Sequence, residues 1–438
     1  MACMFILELL VVLACLYIGS RFGGIVFGLL SGVGLAILVF VFGLAPGTPP
    51  TDVLYIIIAA VTCAGTFQAA GGMSWLTQLA EKVLRKHPQQ ITFLAPLCTF
   101  FLTVLIGTGH IVYTLMPIIV DVSIKNGVRP ERPCAVASVS SQLGIMASPI
   151  AAAVVAFSVI SSQNGFDITI PQILMVSLPS ALAGLLCAAG LSMKRGKDLD
   201  KDPAFQELIS NPERREFIYS SSDSCLGRQV GKKEKMSTFI LLGAILTIVV
   251  LAACGYKTVK MNLVIQIIML VAACLMVLLC KVKASDIARS DVWRNGMVAV
   301  VVIYGVAWMA DTLFSNYMAS FQESFGGIIE THPWTIAVAF FLASILLNSQ
   351  GATVVAMVPI AFAMGVPGYI ILGALPCTYA YFFIPNYPSD IATVNFDKTG
   401  TTHIGRYLLN HSFMMPGLVS VGIATCISML LSFLIFGN

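Results

Sequence analysis

The stretch FFIPNYPSDIATVNF, residues 382–396, lies in a part of the chain whose other residues suit a lipid environment. Proline lacks the backbone N–H that a helix interior needs and its ring clashes with the preceding turn. This stretch places Pro385 and Pro388 beside Asn386, Ser389 and Asp390. A helix crossing a bilayer cannot contain it unbroken. Unpaired N–H and C=O groups at membrane depth are costly in hydrocarbon, so such a break survives only inside protein or beside a water-filled cavity. A carboxylate at that depth costs about 2.5 kcal/mol or more, and it marks a polar path or a proton-coupling group.

The rest of the chain sets the context. Of 438 residues, 58% are hydrophobic and 11% charged, against about 25% charged in soluble domains. This is the composition of an all-α polytopic membrane protein. Spans of about 20 apolar residues are expected at 4–20, 22–43, 52–72, 133–162, 171–193, 237–256, 261–280, 295–314, 368–397 and 407–435. The first apolar run has no basic residue before it and no small-residue cleavage site, so it reads as a retained span. The 12 cysteines occur singly in apolar runs without a CxxC pair, which fits small buried side chains and neither a disulfide framework nor a metal site. No metal and no cofactor is expected.

Two further segments, 91–124 and 333–366, are apolar runs interrupted at the centre, by GTGH (107–110) and by NSQG (348–351). Read as re-entrant hairpins, with the N-terminus outside, they put 23 of the 25 Lys and Arg residues on the cytoplasmic side, as the positive-inside rule requires. Only Lys257 and Lys260 fall outside. The hydrophilic segment 194–236 is expected to be a solvated cytoplasmic linker between two transmembrane halves, 1–193 and 237–438.

The halves resemble each other. TGHIVYTLMPI (108–118) lies on QGATVVAMVPI (350–360), and ASVSSQLGIMASPIAAAVVAF (137–157) corresponds to ALPCTYAYFFIPNYPSDIATVNF (374–396). Each half reads as three spans, a hairpin, a broken span and a last span. Five crossings per half make the two repeats inverted and leave both termini periplasmic. The four interruptions match the pattern of secondary transporters with a midplane site, and half-helix N-termini there suit an anion. Thr108, Ser148, Asn348, Ser349, Gln350, Asn386 and Ser389 are the candidate ligands.

A simple kink competes with this reading at Pro117, at Pro359 and at SPI (148–150). His110 is either a coupling or substrate group or a neutral hydrogen-bonded imidazole. Asp121 and Asp311 read as solvated end residues, and Glu81, Lys82, Arg85 and Lys86 as one turn at the cytoplasmic surface. Arg85 and Arg129, flanking the first hairpin, are the residues suited to attract or gate a dianion; Asp390 and His110 are the candidates for coupling. DKTGT (397–401) matches the phosphorylated-aspartate motif of P-type ATPases, but only 37 residues follow it, nearly all apolar. No GxxxxGK[ST] segment is present either. A polar cytoplasmic turn is the better reading.

RPERP (129–133), SQLGIMASPI (141–150), GKDLDKDPAFQ (196–206), NSQ (348–350), YPSD (387–390) and FDKTGTTHIGRYLLNHSF (396–413) together resemble the anaerobic C4-dicarboxylate transporters of bacteria, the Dcu family. The resemblance runs over nearly the whole chain. It implies an ion-transporter-superfamily fold and an inner-membrane carrier that exchanges fumarate, malate or aspartate for succinate in anaerobic respiration, with proton-coupled uptake as another mode. C4-dicarboxylate anions, protons, membrane lipid and a second copy of the chain are the partners it implies, with a membrane sensor kinase for some members, and no nucleic acid. The family's polar motifs fall on Arg85, Arg129, Asn348, Ser349, Gln350, Ser389 and Asp390. One departure touches the sensing role: Ile345 stands near where some members have a lysine. The competing functions are a dicarboxylate-binding membrane sensor without transport and a sodium or proton antiporter. The latter calls for an acid pair at a broken helix, and Asp390 stands alone there.

The hairpin reading is tested by thiol labelling in a cysteine-free background. Thr108→Cys should be reached from the cytoplasmic side and Ser349→Cys from outside; labelling of both from one side overturns the inverted arrangement.

Overall fold

The computed structural model describes residues 2–22, 24–220, 224–227, 229–254, 256, 258–385, 387–405 and 409–437. Its regular elements are helices. The first half runs α1 (Ala2–Phe22), α2 (Gly24–Ala36), α3 (Thr51–Ala69), α4 (Gly72–Lys86), α5 (Ile91–Ile106), α6 (Val112–Lys125), α7 (Glu131–Leu143), α8 (Ala152–Gln163) and α9 (Ile170–Ser192). Two short helices, α10 (Pro203–Ser210) and α11 (Pro212–Tyr219), lie in the connecting segment. The second half continues with α12 (Lys232–Ala253), α13 (Met261–Cys280), α14 (Ala284–Arg289), α15 (Asp291–Thr331), α16 (Ile336–Leu347) and α17 (Gln350–Ala363). It ends with α18 (Gly368–Gly373), α19 (Pro388–Phe396) and α20 (Met414–Phe436). Among the described residues, nine helical segments are long and apolar enough to cross a membrane.

The interruptions fall where local chemistry stops a helix. α5 ends as Gly107 takes φ +80°, and α16 ends as Asn348 takes φ +50°, the left-handed region that closes many helix C-termini. Asn is one of the few side chains that enters it at low cost. α7 tightens into a 3-10 turn at Gly144–Ala147, and Ser148 then goes extended before Pro149. α19 begins at Pro388, whose missing N–H costs nothing in a first helical turn.

The pair α5 and α6 doubles back. Arg85, in the last turn of α4 just before α5 begins, bonds Asp121 near the far end of α6 at 3.1 Å. The first residue of α5 and the last of α6 therefore share one end of the molecule. Arg129, Arg132 and Arg195 are tied to the same end through Asp202, Asp198 and Glu131, and Lys398 through Ser220, so it is called the basic end below.

Packing follows small residues. α2 crosses α15 so closely that a Cβ on Gly305 would lie 2.2 Å from the Gly28 carbonyl oxygen, and α9 meets α20 where a Cβ on Gly184 would lie 2.2 Å from the Ser420 carbonyl. α3 packs on α13 and α15, α12 on α13 and α4, α5 on α7, α8 on α17, and α6 on α19. The outer helices turn apolar side chains outward, among them Leu246, Leu278 and Leu434. The broken segment α7–α8 is enclosed: 89% of its most apolar window is buried, against 28% for α12. That enclosure is what irregular backbone at membrane depth requires.

Several expectations need correction. The span placed at 295–314 belongs to a 41-residue helix, α15. The last span starts at Met414 and not at 407, because residues 409–413 form a turn held by a bridge between Ile404 and His411. The break in 368–397 is wider than the PNYPSD run: among the described residues, regular α-helix is absent from 374 to 385 and at 387, and PSD already forms the first turn of α19. Segment 194–236 is not simply solvated, since Leu199, Phe205 and Ile218 are buried in the main core. It is tied down as well, by Asp198 to Arg132 and Asp202 to Arg129, each at 2.7 Å. Glu81 and Asp121 are buried and paired, not solvated.

The glycine crossing makes a stability prediction. Gly305→Leu should lower the unfolding free energy by about 1–3 kcal/mol through overpacking, read as a lower Tm in detergent. An unchanged Tm would mean that α2 and α15 do not touch there.

Candidate functional site

The interruptions converge on Gln142, in the last turn of α7. Its Oε1 accepts a hydrogen bond from Tyr381 Oη at 2.8 Å, and its backbone carbonyl accepts one from Gln350 Nε2 at 2.6 Å. The first tip presses on the same side chain: a Cβ on Gly109 would sit 2.4 Å from Gln142 Nε2. Both tips and both broken segments thus meet at one residue, which is 1% exposed.

Asp390 lies beside this node, 1% exposed, and Ser138 Oγ on α7 donates to its Oδ1 at 2.7 Å. Ser389 Oγ is 3.4 Å from the same serine. Aromatic rings close the space around them. Tyr381 lies 4.5 Å from Tyr387 and 4.9 Å from Tyr379, centroid to centroid, and Tyr379 Oη is buried with no hydrogen-bond partner.

Helix direction sets the electrostatics. α8 and α17 pack together with their N-termini adjacent, a Cβ on Gly351 lying 3.8 Å from that of Ala152. Their far ends, at Ile160, Gln163, Val355 and Pro359, line a cavity of about 450 Å³ at the end opposite the basic one. α6 and α19 pack together in turn, and Pro117, Ile124 and Phe396 line a cavity of about 210 Å³ near the basic end. Four half-helices therefore point their N-terminal ends inward. Each presents N–H groups without intrahelical partners and a partial positive charge. Helix termini of this kind favour negative charge, and among the described residues Arg85 and Arg129 are paired away from them.

The predicted residues divide by place. Thr108 caps the first tip, its Oγ1 accepting from His110 N–H at 3.4 Å. With His110 it lines a cavity of about 130 Å³ bounded by Ile150, Ala152 and the facing sides of α3 and α15. The His110 ring stacks on Tyr113. Ser148 is fully buried at the first break, where its Oγ accepts from Ile150 N–H at 3.4 Å. Ser349 caps α17 by accepting from Ala352 N–H at 3.3 Å. Asn348, Gln350, Ser389 and Asp390 belong to the tip and break just described. Asn386 lies outside the described residues.

Arg85 and Arg129 are not brought to the tips. Arg85 pairs with Glu81 at 2.8 Å and Asp121 at 3.1 Å, and Arg129 pairs with Glu131 at 2.9 Å and Asp202 at 2.7 Å. Both arginines tie the basic end together. DKTGT is there too. Asp397, 5% exposed, accepts from Thr399 N–H at 2.9 Å and Thr402 N–H at 2.6 Å, and from Thr401 Oγ1 at 2.9 Å. Its carboxylate closes a turn instead of presenting a nucleophile.

Sequence reasoning missed Gln142, Ser138, Tyr379 and Tyr381. The signal was present as SVSSQ (138–142) and TYAY (378–381), polar runs inside apolar sequence.

Three comparisons bear on the chain. A family model described as "Anaerobic c4-dicarboxylate membrane transporter" matches residues 4–436. The anaerobic C4-dicarboxylate transporter DcuB of Escherichia coli O6:H1 is 45% identical over 432 residues, covering 96% of this chain and 97% of that protein. The C4-dicarboxylate transporter DcuA of Wolinella succinogenes is 35% identical over 437 residues, covering 98% and 99%. Among solved structures, the YdaH transporter of Alcanivorax borkumensis is similar in fold, with TM-score 0.55 at 11% identity over 87% of this chain and 85% of that one.

The node at Gln142 predicts the effect of a single oxygen. Tyr381→Phe leaves Gln142 Oε1 buried without its donor, which costs about 1–3 kcal/mol. A lower Tm and slower substrate flux are expected; wild-type values for both would remove the node from the site.

Proposed function

We propose, for a chain that belongs to the anaerobic C4-dicarboxylate membrane transporters, that it exchanges C4-dicarboxylates across the bacterial inner membrane: fumarate, malate or aspartate inward against succinate outward. The observation that carries this reading is the convergence of four half-helix N-termini on a centre that neither Arg85 nor Arg129 reaches, both being paired elsewhere. A dianion bound by backbone N–H groups and partial charges is held without a fixed full charge. That serves a carrier, which must release what it binds.

The packing supports two inverted repeats. α2 on α15 matches α3 on α13, α1 on α2 matches α12 on α13, and α8 on α17 matches α6 on α19. With the basic end cytoplasmic, both termini are periplasmic. The two cavities along α3, one beside Ile57–Ala64 and one beside Thr51–Val53, then lie toward opposite faces. Alternating access opens one and closes the other.

Proton-coupled uptake is the second mode, and Asp390 carries it. Asp390 is a buried carboxylate at the broken segment, and a hydroxyl is its side-chain partner there. An ionisable group at that depth is placed to take up and release a proton as access changes.

Two measurements test this. In proteoliposomes, labelled succinate should enter only when fumarate is loaded inside; binding without flux would identify a sensor and not a carrier. Asp390→Asn should reduce uptake driven by an inward proton gradient by about tenfold or more, and unchanged gradient-driven uptake removes Asp390 from coupling.

A further inference from the structure

The bond from Gln350 Nε2 to the Gln142 carbonyl fixes which end of the amide faces which way, because a carbonyl accepts only from the NH2 end. Gln350 Oε1 is then turned away from α7. It has no hydrogen-bond partner, and the residue is 3% exposed. Asn348 Oδ1, at the same tip, is likewise buried and unpartnered. Folded interiors leave few such atoms, and each calls for a reason.

A carboxylate cannot supply the reason. It is itself only an acceptor, and its oxygens are repelled by an amide oxygen. The substrate's carboxylates have donors of their own here, in the first N–H groups of α17 and α8 and in the unpartnered Tyr379 hydroxyl. The centre therefore offers donors that suit carboxylates and, at the second tip, acceptors that suit something else. The complementary group is an N–H or O–H on the ligand.

We infer that Gln350 Oε1, with Asn348 Oδ1, forms a subsite for a hydrogen-bond donor on C2 of the substrate, an ammonium or a hydroxyl. C4-dicarboxylates that carry such a group are held more tightly than unsubstituted ones. This replaces the expectation that Asn348 and Gln350 hold a carboxylate, and it rests on the dicarboxylate reading above. The geometry also separates the two ends of Gln350: Nε2 ties the second tip to α7, and Oε1 selects the substrate.

The test uses the full chain in proteoliposomes. L-malate and methylsuccinate share a skeleton and differ by a hydroxyl in place of a methyl group. Malate should inhibit labelled fumarate uptake at about tenfold lower concentration, the effect of one buried acceptor gaining a partner; equal inhibition overturns the subsite. Gln350→Met removes the acceptor at similar volume and the Nε2 tie to α7 with it, so the ratio is read and not the rate: aspartate relative to fumarate uptake should fall about tenfold and the advantage of malate vanish. An unchanged ratio overturns the inference while leaving the transport reading intact. If this variant fails to assemble, the wild-type comparison decides alone. If the wild type moves no fumarate, the transport reading is what fails, and calorimetric binding of malate against methylsuccinate to the detergent-solubilised chain then decides the subsite.

Discussion

Every backbone N–H and C=O that leaves a helix inside a membrane must find a partner there, and the rest of this structure depends on that requirement. The chain interrupts its helices at four places and gathers all of them around one glutamine. Gathering them limits the irregular backbone to one enclosed region. Gln142 suits the place because its amide both donates and accepts while its carbonyl remains available to a third element. The tyrosines from the second break then fill the volume with apolar rings and bring a hydroxyl each.

The charges are arranged by the same logic. A guanidinium at the centre would bind a dianion strongly and release it slowly. The chain instead keeps Arg85 and Arg129 at the basic end, each paired with two carboxylates, where they bind segments to one another. Inside, partial charges at helix termini replace full ones, each contributing roughly 0.3–1 kcal/mol and up to about 2 when partly buried.

Much of this was legible in the sequence. GTGH and NSQG interrupt long apolar runs, and the structure turns the chain at Gly107 and Asn348 within them. PNYPSD marked its broken span because two prolines, three hydrogen-bonding residues and a carboxylate cluster there, whereas SPI alone did not separate a break from a simple kink. Pairings between distant positions were not legible. Arg85 finds Asp121 36 residues on and Arg129 finds Asp202 73 residues on, separations that no helical period encodes. The segment 194–236 looked solvated because its few apolar residues are spaced among charges; Leu199, Phe205 and Ile218 gain a core only because the basic end supplies one. Gln142 was hidden by its neighbours, since a polar run in an apolar helix does not say which member is the hub.

The basic end also carries information about the order of synthesis. Glu131 opens α7, yet the groups that neutralise and cap its carboxylate include Arg195 and Ser412, the latter 281 residues later. Glu81 likewise accepts from Ser224 and from the Cys225 N–H, more than 140 residues downstream. A ribosome is past the middle of the chain before Glu81 is complete, and has nearly finished it before Glu131 is. The first half must therefore wait in the bilayer with charged groups incompletely paired, and the last turn before α20 acts as the closing stitch. A chain shortened ahead of residue 412 would keep most of its spans and leave that stitch undone, giving quality-control proteases a defect to recognise.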